Sequence, residues 1–202
     1  KVIFLIPARS GSSVIDKNIK NYKNKPLIFH SIDVALKSEF LNRIIISTDS
    51  LKYKKLILKK YKKKVEIPFL RPKNISGHKS TDYEWLRHAL IYLKKKENYI
   101  PDIVVQLRPT TPNRKYKIID KAIKLFFKNF KKYSSLRSAN KFSHPPQKMF
   151  KITKGAFRGY FDKKIFKEYY NLSRQHYPAN YIPNGYIEIL KPKIILNSKF
   201  LH

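Results

Sequence analysis

The chain has 202 residues, of which 42% are hydrophobic, and it carries a formal net charge of +32. It contains no cysteine, which excludes disulfides, thiolate metal sites and a cysteine nucleophile within this sequence. Its longest apolar runs are about five residues, too short to cross a membrane, and no signal peptide is recognisable, so we predict a cytoplasmic protein. The length predicts one domain, residues 1–202, with a sizeable core.

Apolar strands and amphipathic helices alternate along the chain, which predicts an α/β fold with a mainly parallel sheet. The predicted strands cover residues 2–6, 43–48, 65–69, 103–107, 133–138 and 185–190. One predicted helix begins at Pro26, and others cover residues 51–61, 80–95 and 116–130. The third of these is capped by Ser80 or Thr81. Residues 142–183 are rich in proline and aromatics with weak periodicity, which favours an excursion from the sheet over a linker.

The high positive charge suggests nucleic acid, an anionic membrane or an anionic substrate as a partner. Arginine, the more specific phosphate reader, supplies only nine of the 45 basic residues. The lysine runs at residues 52–64, 94–96 and 115–132 fall on predicted helices, where lysine covers solvated faces. We therefore predict no specific nucleic-acid site, and we favour compositional drift in an AT-rich genome over a functional reason for the charge. A basic RNA-binding protein is the alternative from another class.

A small, basic loop follows the first predicted strand, with the sequence PARSGSSVIDKN at residues 7–18. In open α/β sheets, ligands bind beyond the carboxyl ends of the strands. Small residues expose backbone N–H groups, and these suit a polyphosphate when Arg9 and Lys17 lie beside them. The loop is neither a Walker loop nor G-x-G-x-x-G. A strand end with solvated basic residues is the simpler alternative.

A series of motifs extends over nearly the whole chain. In order they are IPARSGS (6–12), KNI (17–19), KPLIFHSIDVALKS (25–38), STDS (47–50), FLRP (69–72), SGHKSTD (76–82), QLRPTTPNR (106–114), SLRS (135–138), HPPQKMFK (144–151) and RQHYPANYIPNGYIEI (174–189). In this order they resemble the sugar cytidylyltransferases, the family of CMP-sialic acid synthetases (acylneuraminate cytidylyltransferases). The resemblance implies a Rossmann-like nucleotidyltransferase fold, a three-layer sandwich with a mainly parallel sheet. It also implies a protruding excursion at residues 142–180 that forms a homodimer.

The resemblance implies that CTP is joined to a nine-carbon, sialic acid-like 2-keto sugar acid, giving a CMP-sugar and pyrophosphate. Arg9 and Lys17 match catalytic positions that hold the triphosphate. The implied nucleotide-binding set is Ala8, Arg9, Ser10, Gly11, Ser12, Lys17, Asn18, Arg71 and Ser80. The implied sugar-binding set is Gln106, Lys148, Arg174, Gln175 and Asn184. A cation is chemically required near the sugar carboxylate, with Arg174 the first candidate and Lys148 the second. The sugar stays open between sialic, legionaminic, pseudaminic and other acids.

Several of these residues also have structural interpretations. Arg71 could be a surface residue before a turn-forming proline, and Asn184 with Gly185 could be only a turn before a strand. We favour Asp49 as a strand end that caps the next helix, and Asp82 as an ordinary first-turn carboxylate. Gln106 is a polar residue within an apolar run, and its presence there needs a structural or functional explanation.

Two departures from the family pattern bear on activity. The lysine expected after the Gly-Ser pair is missing, and the loop is about one residue shorter than the family pattern. The family's magnesium-binding Asp-x-Asp lies beyond the matching segment, and no aspartate follows Asp162 here. We therefore expect Mg²⁺ as cofactor with ligands outside the displayed sequence, and its residues stay unknown. A catalytically weak nucleotide-binding relative is the nearest alternative.

Overall fold

A computed structural model describes residues 1–11, 14–161, 169–198 and 200–202 of the chain. The strands are β1 (Val2–Pro7), β2 (Asn21–Tyr22), β3 (Lys25–Pro26), β4 (Arg43–Ser47), β5 (Ile103–Gln106), β6 (Ser135–Phe142), β7 (Phe150–Thr153), β8 (Ala156–Gly159) and β9 (Asn180–Leu190). The helices are α1 (Leu27–Ala35), α2 (Leu51–Tyr61), α3 (Asp82–Glu97), α4 (Tyr116–Lys128) and α5 (Pro192–Asn197). Ser12, predicted for nucleotide binding, lies outside the described residues. None of the described helices has the length and hydrophobicity needed to cross a bilayer.

The main sheet has five strands in the order β4-β1-β5-β9-β6. β1 pairs in parallel with β4 on one side and with β5 on the other. β9 runs antiparallel to β5, with Gln106 opposite Glu188 in the register. The predicted α/β fold with a mainly parallel sheet is confirmed. The carboxyl ends of β4, β1 and β5 meet at one edge, and there the loops after them converge.

Both faces of the sheet are covered by helices. Alternate residues of β1 enter different cores: Phe4 and Ile6 pack with α1, α2 and α4, while Ile3 and Leu5 pack with α3 and α5. Because neither face of β1 meets water, the strand is an unbroken apolar run in the sequence. This gives the three layers, helix, sheet and helix, that the resemblance implied.

The strand predicted at residues 65–69 is wrong. The segment makes only an isolated parallel bridge to β4, in which the Ile46 amide donates to the Glu66 carbonyl at 2.9 Å. Pro68 has no N–H to continue a ladder, so the pairing stops there. Val65, Ile67 and Phe69 are nonetheless buried, which is why the segment resembles a strand in the sequence.

Helix α3 begins as the sequence predicts. Thr81 is its N-cap and accepts a bond from the Glu84 amide at 3.4 Å, while the Glu84 carboxylate accepts from the Thr81 amide at 2.6 Å. This reciprocal capping box satisfies two N–H groups of the first turn. It fixes the start of α3 beside the ends of β1 and β5.

The chain divides into two compact units, one formed by residues 1–137 and 185–202 and the other by residues 138–184. In the second unit β7 and β8 form a hairpin whose two loop residues, Lys154 and Gly155, both have positive φ. Such values are typical of a type I′ turn. Ile152 and Phe157 of the hairpin are largely exposed. The single domain and the dimerisation through residues 142–180 stay predictions.

A pH dependence of stability follows from His88. Its ring packs edge-on against Phe69, with centroids 4.8 Å apart, and burial and the nearby Arg71 charge lower the pKa of His88. The unfolded chain therefore binds this proton more readily, so its contribution to stability is lost as pH falls below about 6.5. We expect urea unfolding to show a larger loss of stability between pH 7.5 and 5.5 for the wild type than for His88→Gln. Equal losses would contradict this assignment, because the other titrating groups are common to both proteins.

Candidate functional site

Five residues predicted for nucleotide binding line one cleft of about 190 Å³ in the larger unit. They are Arg9, Lys17, Asn18, Arg71 and Ser80. The cleft lies at the carboxyl edge of the sheet, the position where open α/β sheets bind ligands. A larger hollow of about 430 Å³, beside Lys25, His30 and Lys37, contains none of the predicted site residues. We therefore take the smaller cleft as the candidate site.

The loop after β1 is fixed to its neighbours by the backbone and by one amide side chain. The buried Ala8 donates its N–H to the Ser47 carbonyl at 2.9 Å, which continues the pairing with β4. The Asn18 side chain donates to the Arg9 carbonyl at 2.9 Å, and the Arg9 guanidinium donates to the Gly77 carbonyl. A short 3-10 helix, Lys17–Ile19, places Lys17 on the cleft wall. Asn18 therefore holds the backbone of the loop that carries Arg9.

Asp49 binds this loop instead of capping the next helix. Its carboxylate accepts from the Ser10 amide at 2.8 Å and from the Ser10 hydroxyl at 2.7 Å. Ser50 is the N-cap of α2, so the favoured interpretation of Asp49 as a cap is wrong. A phosphate at the Ser10 amide would have to displace the Asp49 carboxylate. A Cβ on Gly11 would meet no atom within 4 Å, so the fold alone does not require glycine there.

Arg71 is a buried cation in the cleft wall, which rules out the surface interpretation. Only 4% of the residue is exposed, and its guanidinium donates to the Ser47 hydroxyl at 3.0 Å and the Ser47 carbonyl at 2.6 Å. Its carbon Cζ lies 5.2 Å from the centre of the Trp85 ring. Burial lowers the pKa of Arg71 to about 10, with Asp49 opposing that shift and Arg9 adding to it. The group still carries its charge at pH 7.

Asp82 does more than begin a helix. Its carboxylate accepts from the Trp85 indole at 2.9 Å and pairs with the guanidinium of Arg108. Arg108 lines the cleft, yet no site role was predicted for it. The available signal was an arginine directly after a buried central strand, inside the motif QLRPTTPNR.

Gln106 lies behind Arg108 and is 1% exposed. Its amide, oriented to satisfy both neighbours, donates to Glu188 at 3.0 Å and accepts from the Arg108 Nε at 3.1 Å. These bonds explain a polar side chain within an apolar strand. Gln106 does not line the cleft, whereas Arg108 does. The predicted sugar contact of Gln106 stays a prediction.

The other predicted sugar-binding residues belong to the 138–184 unit. The Lys148 ammonium lies 5.9 Å from the centre of the Tyr177 ring, and Arg174 and Gln175 belong to the 3-10 helix Arg174–His176. The Asn184 side chain accepts from the Ser138 hydroxyl at 2.6 Å and donates to Asn140 at 2.7 Å. Asn184 lies within β9, so the alternative of a turn before the strand is wrong.

The cleft carboxylates do not form a metal site as they are arranged. Among the residues that the structure describes, no three histidine or acidic side chains cluster closely enough to hold an ion. Asp49 is bonded to Ser10, and Asp82 to Trp85 and Arg108. Magnesium prefers several oxygen ligands with near-octahedral geometry, so these separate carboxylates do not fit it.

The fold matches that of solved nucleotidyltransferases. The structure of CMP:2-keto-3-deoxy-manno-octonic acid synthetase complexed with CTP superposes with a TM-score of 0.66 at 14% identity, over 98% of this chain and 76% of that one. At this identity the likeness concerns the fold alone. The protein therefore has a Rossmann-like nucleotidyltransferase fold.

Comparison of sequences identifies the family. A family model described as cytidylyltransferase matches residues 3–153. The N-acylneuraminate cytidylyltransferase of Escherichia coli O18:K1:H7 is 31% identical over 98% of this chain, which spans 44% of the length of that protein. The pseudaminic acid cytidylyltransferase of Campylobacter jejuni serotype O:23/36 is 34% identical over 83% of this chain and 70% of its own length. The chain belongs to the cytidylyltransferase family.

Proposed function

We propose that this protein is an enzyme that couples CTP to a 2-keto sugar acid, giving a CMP-sugar and pyrophosphate. The observation that carries the proposal is the meeting of Arg9, Lys17 and Arg71 at one cleft of a cytidylyltransferase-family chain. Three cations at the carboxyl edge of the sheet suit a triphosphate. Among the described residues, no carboxylate forms an ion pair with Arg9 or Lys17, so both charges are available to a ligand.

Catalysis in such a site depends on positioning and on neutralising charge. The anomeric hydroxyl oxygen of the sugar acid forms a bond to the α-phosphorus of CTP and loses its proton to solvent, while the bond to the leaving pyrophosphate breaks. Arg9 and Lys17 would offset the charge that develops on the leaving group. Arg71 is held by Ser47 and Trp85, so it loses little side-chain freedom when it binds the nucleotide.

Mg²⁺ neutralises phosphate charge in reactions of this kind. The described carboxylates do not fit a Mg²⁺ ion. The roles proposed above are therefore assigned only to side chains of this chain, Arg9, Lys17 and Arg71. We propose that the ion, when it binds, takes its ligands from outside residues 1–202.

The proposed acceptor is a nine-carbon 2-keto sugar acid. The names of the similar proteins support this class: they include N-acylneuraminate and pseudaminic acid cytidylyltransferases and a CMP-N,N'-diacetyllegionaminic acid synthase from Legionella pneumophila. We further propose that the protein is cytoplasmic and that it forms a homodimer. The dimer is supported by Phe150, Ile152 and Phe157 of the smaller unit, which expose apolar surface that a second copy could cover.

Titration calorimetry with CTP, UTP and ATP at two salt concentrations tests the nucleotide half of the proposal. We expect saturable binding with a preference for CTP that persists at high salt. Weak, equal binding of all three that disappears with salt, together with saturable RNA binding, would instead support the basic RNA-binding alternative. Release of pyrophosphate with a panel of sialic, pseudaminic and legionaminic acids then tests the reaction. A catalytically weak relative would bind CTP and release pyrophosphate only slowly.

A further inference from the structure

We infer, on the basis of the function proposed above, that the Arg108 guanidinium binds the carboxylate of the sugar acid and that Glu188 positions it. Arg108 follows β5 directly and lines the cleft, with 37% of its side chain exposed. It would then be a specificity-determining residue, because it distinguishes a sugar acid from a neutral sugar. Glu188, on the neighbouring strand β9, would act through Arg108.

The hydrogen bonds of Arg108 leave one edge of its guanidinium for a ligand. Its Nε donates to Gln106 at 3.1 Å, and its Nη2 donates to Asp82 and, at 3.2 Å, to Glu188. These bonds use three of the five N–H groups of the side chain. Among the described residues, nothing accepts from Nη1. A carboxylate is the natural acceptor for the two N–H groups of that nitrogen.

Arg114, six residues further along the chain, shows what a purely structural arginine looks like in this protein. All five of its N–H groups are used by the protein. The acceptors are the Ser31 hydroxyl and the carbonyls of Arg108, Thr111, Gly185 and Tyr186. Arg108, with two N–H groups left over beside a cleft, differs from this pattern.

Arg108 follows a different strand from the residues of the proposed nucleotide site. Arg71 is bonded to Ser47 at the end of β4, Arg9 follows β1, and Arg108 follows β5. Since β1 lies between β4 and β5, the backbones that carry Arg71 and Arg108 lie on opposite sides of β1, while their side chains meet the neighbouring residues Trp85 and Asp82. The three arginines therefore start from neighbouring strands, whose backbones are about 4.8 Å apart, and Arg9 and Arg108 both line the cleft. A nucleotide held by Arg9 and Arg71 leaves Arg108 for the second substrate.

Glu188 holds Arg108 in place from below the cleft. Its side chain is 8% exposed and is bonded to Arg108, to the Arg137 Nε at 2.9 Å and to Gln106 at 3.0 Å. The His202 ring nitrogen lies 3.0 Å from the same carboxylate. A carboxylate held on several sides has one position, and it fixes the guanidinium plane of Arg108 in turn. Such support keeps a recognition group in its binding geometry.

The test compares the affinities of CMP and of CMP linked to N-acetylneuraminic or pseudaminic acid, by calorimetry on the whole chain. We expect the unmodified protein to bind the better of the two CMP-sugars about tenfold or more tightly than CMP, the value of a charge-assisted bond. Arg108→Gln should remove this gain and leave CMP and CTP affinities within about twofold. Arg108→Lys, which keeps the charge but not the planar fork, should retain part of it.

Matched variants separate this role from general effects. Arg43→Gln removes an arginine that is equally well paired, to Glu66 and Glu97, at the opposite end of β4, and it should change none of the three affinities. Glu188→Gln should reduce the gain without changing CTP binding, whereas a purely structural role would weaken both ligands together. Melting temperatures of all variants identify any that fail to fold. If Arg108→Gln does not fold, the partial loss of the CMP-sugar gain in Arg108→Lys tests the role of Arg108 instead.

Three results would overturn the inference and leave nucleotide binding intact. Arg108→Gln could weaken CMP and the CMP-sugars by the same factor, which would place Arg108 on the nucleotide. The gain could survive Arg108→Gln and vanish in Arg174→Gln, which would place the carboxylate on Arg174. The unmodified protein could bind CTP but no CMP-sugar better than CMP, which removes the subsite and leaves the nucleotide half of the proposed function intact. Failure to bind CTP at all would instead reject the proposed function, and the inference with it.

Discussion

Replacement of Arg9 by alanine is expected to weaken CTP binding about tenfold or more, with little effect on the stability of the free protein. Removing a charged partner of a phosphate costs about 1.5–3 kcal/mol. Among the described residues, the Arg9 guanidinium makes one hydrogen bond, to the Gly77 carbonyl, so the folded state loses little. Calorimetry with CTP at fixed salt measures the affinity, and thermal melting measures the stability.

Arg87→Ala is the matched control for this variant. Arg87 is an exposed arginine of α3, so the two variants change the net charge equally. If the general positive field of the protein attracts CTP, both variants should lose affinity by the same small factor. If the cleft binds it, Arg9→Ala alone should show the large loss. Unchanged affinity in a folded Arg9→Ala protein would place the triphosphate elsewhere.

The sequence predicts the layers of this fold well because buried elements have recognisable patterns of apolar residues. β1 is an unbroken apolar run since helices cover both of its faces. A similar apolar pattern wrongly predicts a strand at residues 65–69, where side chains are buried although Pro68 prevents a strand. Burial can be inferred from residue type, whereas hydrogen-bond pairing depends on partners far away in the sequence.

Part of the site can be predicted from the sequence, and the residues that the prediction misses are missed for one physical reason. Arg9, Lys17 and Arg71 come together because each lies near the carboxyl end of β1 or β4, an edge that parallel pairing defines. Glu188 reaches Arg108 only because β9 runs antiparallel beside β5. No local pattern specifies that register. The sequence pattern therefore favours Gln106 over Arg108, although only Arg108 extends past the end of the strand into the cleft.

Arg114→Met is expected to have the largest effect on stability of the variants considered. The change removes a donor from four backbone carbonyls and from the Ser31 hydroxyl, of which the Arg108 carbonyl keeps the Thr111 amide at 3.2 Å. A buried group that loses its partner costs about 1–3 kcal/mol, so even partial rescue by water predicts a total of about 3 kcal/mol or more. For a domain of this size that loss corresponds to a melting temperature lower by about 6–12 °C. Burial already lowers the pKa of Arg114 to about 10, which agrees with its enclosure by carbonyls.

Lys115→Met is the control, because the neighbouring lysine is exposed and loses the same charge. Urea unfolding should show a free energy close to the wild type for Lys115→Met and a large loss for Arg114→Met. Arg114→Lys should lie between them, because an ammonium supplies at most three of the five donors. A loss below about 1 kcal/mol in Arg114→Met would mean that the loop of residues 107–115 is held by other contacts. Since Arg114 also binds the Arg108 carbonyl at 2.9 Å, a large loss would show that the backbone carrying Arg108 depends on this partly buried arginine.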